Sequence, residues 1–381
     1  VDTAFDAGVA TTITGLGAEA VTLSDTSSVA VSTLNTLDGL TTGKIDAGSV
    51  TSMTGSLSDL NDAYASNGIT GLGNETLSVS DTGSVSASDL NTLDSNTTGV
   101  ITASSVATIT GTIAAINSAY GSDGISGLGD EAITTSDTTV TAADLNTLNN
   151  YTSGVVNADS LTTITGTIAD VNTAFAADGA TPATISGLGD QAVTLSDTNV
   201  LAADLNVLNG YTTGLIDGST IAVIEGTAEA INLVYDAKAT SADGINGLGN
   251  EAVTLTDTEV VASRLIDLDV NGTSGTIDAS SVNTITGSVS DVNSVYNSSD
   301  FTGLGAESVT VSDTTNLTAA SLVTLNNYTT GNINANTVES MTGTIADLNT
   351  VYGAMSATDN GISNLGNEAL ALTLDDASVT D

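Results

Sequence analysis

The chain has 381 residues, of which 45 are acidic and three basic, for a net charge of −42 without a single His. That charge argues against nucleic acid and anionic membranes as partners, and the absence of Cys excludes disulfides and thiolate metal sites. No apolar run approaches the roughly 20 residues of a membrane helix, so membrane insertion is not expected, yet hydrophobic residues at 40% suffice for a packed core, built from Val, Ile, Leu and Ala because aromatics are only 3%.

The chain opens inside a repeat. Val1-Asp2-Thr3-Ala4-Phe5 aligns with Val171-Asn172-Thr173-Ala174-Phe175, and a Gly-Leu-Gly step begins at Gly15, Gly71, Gly127, Gly187, Gly247 and Gly303. Six copies, whose starts lie about 56 to 61 positions apart, are flanked by partial copies over 1–14 and 364–381, the last starting at Asn364-Leu365-Gly366. Both ends therefore read as cut from a longer pattern. A fixed period of this length marks a solenoid whose units bury their apolar faces against one another, and a single continuous domain over 1–381 is expected.

Within the copy that starts at Gly71, Glu75 to Asp81 alternates apolar and polar residues and predicts a half-buried strand. Ser86 then stands as an N-cap before Leu90 and Leu93, which predicts a short helix. Val100 to Ala103 reads as a second strand, and Gly111 to Tyr120 carries apolar residues at helical spacing. Each copy thus reads as two strand-turn-helix halves of about 28 residues, as in leucine-rich solenoids. The expected fold is α/β, an elongated repeat solenoid with parallel strands on one face and short helices on the other; a right-handed parallel β-helix is the alternative. Insertions at Gly179–Ala183, Lys238–Ala242 and Met355–Thr358 fall where copies join and predict surface loops suited to lateral contacts.

Columns of like residues run through the copies. Leu34, Leu90, Leu145, Leu205, Leu265 and Leu322 form one, each with a Leu three residues on; Phe5, Tyr64, Tyr120, Phe175, Tyr235, Tyr296 and Tyr352 form a ring column. Asn61, Asn117, Asn172, Asn232, Asn293 and Asn349 suggest either an amide ladder or a solvated helix face. Glu19, Glu75, Glu131, Glu251 and Glu307 read as a solvated acidic stripe, with weak ion binding between coils as the other reading. Asp81-Thr82-Gly83-Ser84 matches the aspartic-protease motif, but its counterparts at Asp25, Asp137, Asp197, Asp257 and Asp313 identify a strand-end turn. With neither His nor Cys, the chain reads as a non-enzyme. Asp267, Asp269 and Asn271, followed by Gly272 and Asp278, have the spacing of an EF-hand-like loop and are the candidate Ca2+ ligands.

The phrases VTLSDT (from Val21), SASDLNTLD (from Ser86), TTGVITASSV (from Thr97) and TGTIADVNTA (from Thr165) resemble the tandem repeats of giant secreted bacterial proteins, of cyanobacterial type, described as hemolysin-like or calcium-binding adhesins and cell-surface proteins. The resemblance covers nearly the whole chain and implies secretion, an extracellular or cell-surface location and frequent calcium dependence. The Gly-rich calcium nonapeptides of that group are absent here. The expected function is an extracellular structural protein, a filament, sheath, surface layer or adhesin stalk built by head-to-tail or lateral association with other copies of itself; the alternative is an adhesive module that binds glycan or another cell surface.

Overall fold

The computed structural model describes residues 17–238, 243–355 and 361–373. Phe5, the partial copy 1–14 and most of the second and third insertions lie outside the described residues. The chain alternates short parallel strands with short helices in an α/β repeat solenoid, as the period led one to expect, and each turn carries a helix, which sets it apart from a β-helix. It divides into two compact units, one formed by Val1–Gly166 with Asp170–Gln191, the other by Ala192–Asp381 with Thr167–Ala169.

The first unit shows how the repeat is read. Ser86 caps the helix Ala87–Asn96, its hydroxyl accepting from the Asp89 N–H, and Thr112 caps Ile113–Tyr120 in the same way. Leu90, Leu93, Ile113 and Ile116 line the buried stripes of these two helices. The strands Thr76–Val79 and Ile101–Thr102 fall within the predicted strands, while Ser84–Ser86 and Thr108–Gly111 are additional. Both are too short to carry a clear period of their own, and pairing with neighbouring strands completes them.

Through the first copies strands pair at an equal step, Met53 opposite Leu77, Leu77 opposite Ile101 and Ile101 opposite Ile125, and the step lengthens where an insertion intervenes, as from Val156 to Ile185. One copy, from Gly15 to Gly71, is longer than two such steps, from Met53 to Ile101, and the surplus becomes a fifth strand. The five-stranded sheet that begins at Ser28–Ala30 therefore ends at Ile125–Ser126, and the next runs from Ser84–Ser86 to Ile185–Ser186. The strand layer is a series of overlapping short sheets, where a single unbroken strand face was expected. The second unit repeats the scheme, with five-stranded sheets from Asn199–Leu201 to Phe301–Thr302 and from Glu259–Val261 to Ile362–Ser363. Successive helices pack on one another from Val31–Leu40 to Ala142–Tyr151 in the first unit and from Ala202–Tyr211 to Ile345–Ala354 in the second.

Glycines set the spacing. An added Cβ at Gly99 would stand 2.1 Å from the main-chain oxygen of Glu75, and Gly71, with φ +89°, crosses the Gly48 backbone at a distance no side chain allows.

Candidate functional site at the repeat junction

Three sets of polar bonds join successive turns. Asn35, Asn61, Asn91, Asn117 and Asn146 each donate from the side-chain amide to a main-chain carbonyl in the next helix, at 2.8 to 3.3 Å; Asn206, Asn232 and Asn293 do so in the second unit. The asparagine column is thus a ladder to the backbone, and it includes a second series, Asn35, Asn91, Asn146 and Asn206, on the helices that precede Tyr64 and its counterparts.

The aspartate of the DT motif supplies the second set. Asp81, Asp137, Asp197, Asp257 and Asp313 accept from the first N–H of the helix one turn earlier, Leu57, Ile113, Ile168, Ala228 and Val289, at 2.7 to 2.8 Å. The starts at Leu57, Ile113, Ala228 and Val289 are each satisfied by their own Ser or Thr and by an anion from the neighbouring turn, which also suits the helix dipole. The protease-like motif is therefore an inter-turn helix cap as well as a turn.

The third set corrects the expectation of a solvated acidic stripe. Glu75, Glu131, Glu251 and Glu307 are buried, at most 3% exposed, because each folds under its own Gly-Leu-Gly loop. The Glu75 Oε2 accepts from the Gly73 N–H at 2.8 Å, the Asn74 N–H at 3.2 Å and the Tyr64 hydroxyl at 2.7 Å. Tyr120 with Glu131, Tyr235 with Glu251 and Tyr296 with Glu307 repeat the pair. Burial first, then the adjacent carboxylate, pushes the hydroxyls of these four tyrosines far above their ordinary range; at Tyr352, facing Glu368, the same causes raise it to about 12. Where the third copy meets the fourth both partners change together: Phe175 has no hydroxyl to donate, and Gln191 stands in place of the carboxylate. Glu19, exposed, is held low by the Gly17 and Ala18 N–H groups.

The candidate calcium ligands are dispersed. This copy carries one extra residue after Leu268, and the helix absorbs it as the π-turn Leu268–Gly272 directly after Ala262–Asp267. Asp267 ends the α-helix and accepts from the Asn271 amide at 2.7 Å. Asp269 takes the Ser298 hydroxyl, as Asp38 takes Ser66 and Asp94 takes Ser122, and burial raises its carboxyl. Asp278, in the strand Ile277–Asp278, accepts from the Ser280 N–H, and the Ser280 hydroxyl and N–H hold it low. The structure brings Asp267 and Asn271 together and ties the other two to serines elsewhere; among the described residues no three acidic side chains are grouped as a metal site.

Outer surfaces carry two further features. Tyr151 stacks on Tyr120 with centroids 5.5 Å apart, and Tyr328 on Tyr296 at 5.6 Å. Beside Tyr328 and Asn316, whose φ is +59°, a polar groove of about 560 Å³ is lined by Asn293, Asn297, Asn316, Thr318 and Ser321. Among the described residues no helix is long and apolar enough to cross a membrane. No protein-family model and no curated protein matches the chain.

Proposed function

We propose that this chain is a structural protein of the cell exterior, a segment of a filament, sheath, surface layer or adhesin stalk that extends by adding copies and associates with further copies of itself. The observation that carries the reading is the uniformity of the junctions. Within each unit the same asparagine rung and aspartate cap recur from copy to copy, as does the buried acid except at Gln191, so the polar residues of the helices and loops serve to join one copy to the next. A surface with three basic residues against 45 acidic ones stays soluble at low salt and associates when cations screen it. Electron microscopy and light scattering of the purified chain across calcium and sodium concentrations test this. Regular polymers that appear with cations are expected; a monodisperse monomer under every condition overturns self-association.

Adhesion to glycan is the second reading, and the groove beside Tyr328 favours it. Amides, hydroxyls and one stacked aromatic face suit a neutral, polyhydroxylated ligand. Retention on a glycan array, lost in Tyr328→Ala, is the expected result; no retention removes this reading.

A further inference from the structure

The buried acids raise an accounting question that the lone Gln191 answers. Its Oε1 accepts from the Gly189 N–H at 2.8 Å and the Asp190 N–H at 3.2 Å, the same two bonds at the same lengths that Glu75 Oε2 takes from Gly73 and Asn74. The two acceptor oxygens are therefore bound alike, and Glu75 Oε1 is the counterpart of the Gln191 amide nitrogen. That nitrogen donates to two main-chain carbonyls, Leu161 O at 3.2 Å and Gly187 O at 2.9 Å. Their counterparts are Val50 and Gly71 at Glu75, and Val106 and Gly127 at Glu131.

At these two junctions no donor stands in that place. Oε1 of Glu75 and Oε1 of Glu131 are buried and accept no hydrogen bond, and none of the four carbonyls accepts one from a described residue. A fully buried carboxylate oxygen without a donor is costly in a protein interior, and two carbonyls without a donor accompany it. The amide of Gln191 meets the same demand with two N–H groups. A single proton on Oε1 would serve one carbonyl and leave the other; a cation in contact with all three oxygens satisfies the set. One carboxylate oxygen with two main-chain carbonyls is also the hard-oxygen donor type that Ca2+ and Na+ prefer.

We propose that the junctions closed by Glu75 and Glu131 each bind one hard metal cation through the carboxylate Oε1 and the two adjacent main-chain carbonyls, and that the Phe175–Gln191 junction is the version in which an amide replaces the ion. Gly71 and Asn74, at either end of the loop over Glu75, are exposed, which gives the ion a short way in. Glu251 and Glu307 stand apart, since both of their carboxylate oxygens lie within 3.1 Å of a loop N–H.

The test compares cation uptake by three forms of the full chain after removal of metal with a chelator: the natural sequence, Glu75→Gln with Glu131→Gln, and Phe175→Tyr with Gln191→Glu. Calorimetric titration with calcium chloride in sodium-free buffer and with sodium chloride in calcium-free buffer forms two arms, which identify the ion. Relative to the natural chain, loss of two equivalents in the Gln variant and gain of one in the Glu variant are expected in whichever arm shows uptake. The Gln variant keeps an acceptor for the loop N–H groups, as Gln191 does in its own loop, so it is expected to fold and decides the matter alone if the other does not. Equal uptake by the natural chain and the Gln variant, or no uptake of either ion, overturns the proposal.

Discussion

At Glu75 the loop N–H groups meet a carboxylate oxygen that also takes the Tyr64 hydroxyl; at Gln191 they meet an amide oxygen, and the ring at the corresponding position is Phe175. The backbone around the two is alike. What the junction requires is an acceptor of a given shape beneath Gly-Leu-Gly, and the charge of that acceptor is a second choice made together with the ring. A buried carboxylate comes with a hydroxyl donor, a neutral amide with a plain phenyl, as the cost of leaving a buried charge or a buried hydroxyl short of partners demands.

The largest effect is expected where the backbone leaves no room for any side chain. Gly99→Ala would press a Cβ against the Glu75 carbonyl, 2.1 Å away, and should cost about 3 kcal/mol or more in urea denaturation. Glu75→Ala removes the acceptor of two loop N–H groups and the Tyr64 hydroxyl and should cost about 1 to 3 kcal/mol. Glu75→Gln keeps the acceptor and should cost clearly less by the same measurement. If the two substitutions are equally damaging, charge and not shape governs the junction.

Alkaline pH separates the two junction types. The Tyr64 and Tyr120 hydroxyls titrate above their ordinary value of 10.0 in the folded chain, chiefly through burial. Above that value the unfolded chain gives up protons that the folded chain keeps, so stability is level below about pH 10 and falls as pH rises further. Thermal melts from pH 8 upward should show this decline, and Tyr64→Phe with Tyr120→Phe should reduce it. At neutral pH Tyr64→Phe should have the smallest effect, about 1 kcal/mol, because Glu75 keeps its loop donors. A double-mutant cycle with Glu75→Gln checks whether the pair is coupled.

Much of the architecture is legible in the residues. The Gly-Leu-Gly period, the Ser and Thr caps and the leucines at i and i+3 locate the helices, because those signals are local. The short strands are harder, since such brief segments carry little periodicity and owe their conformation to pairing with a strand one turn of the solenoid away. The acids are the least legible. Asp81 reads as a turn residue and Glu75 as part of a solvated stripe, although a signal exists: Tyr and Glu recur 11 residues apart at Tyr64, Tyr120 and Tyr296, and both change where the third copy meets the fourth. The EF-hand-like spacing at Asp267 misleads for the opposite reason, since one extra residue in a helix end created it and the helix took up that residue as a π-turn.

Local pattern is enough to establish a repeat of strands and helices with an aliphatic core and an acidic exterior, because period, capping and hydropathy act over a few residues. That the inner sheets stop after five strands, that the DT aspartates cap helices in the preceding turn and that Glu75, Glu131, Glu251 and Glu307 are buried follows from three-dimensional packing alone. The reason is distance along the chain: those partners stand a full turn of the solenoid apart or are brought together by a loop, and the stacking of one turn on the next is what makes them neighbours.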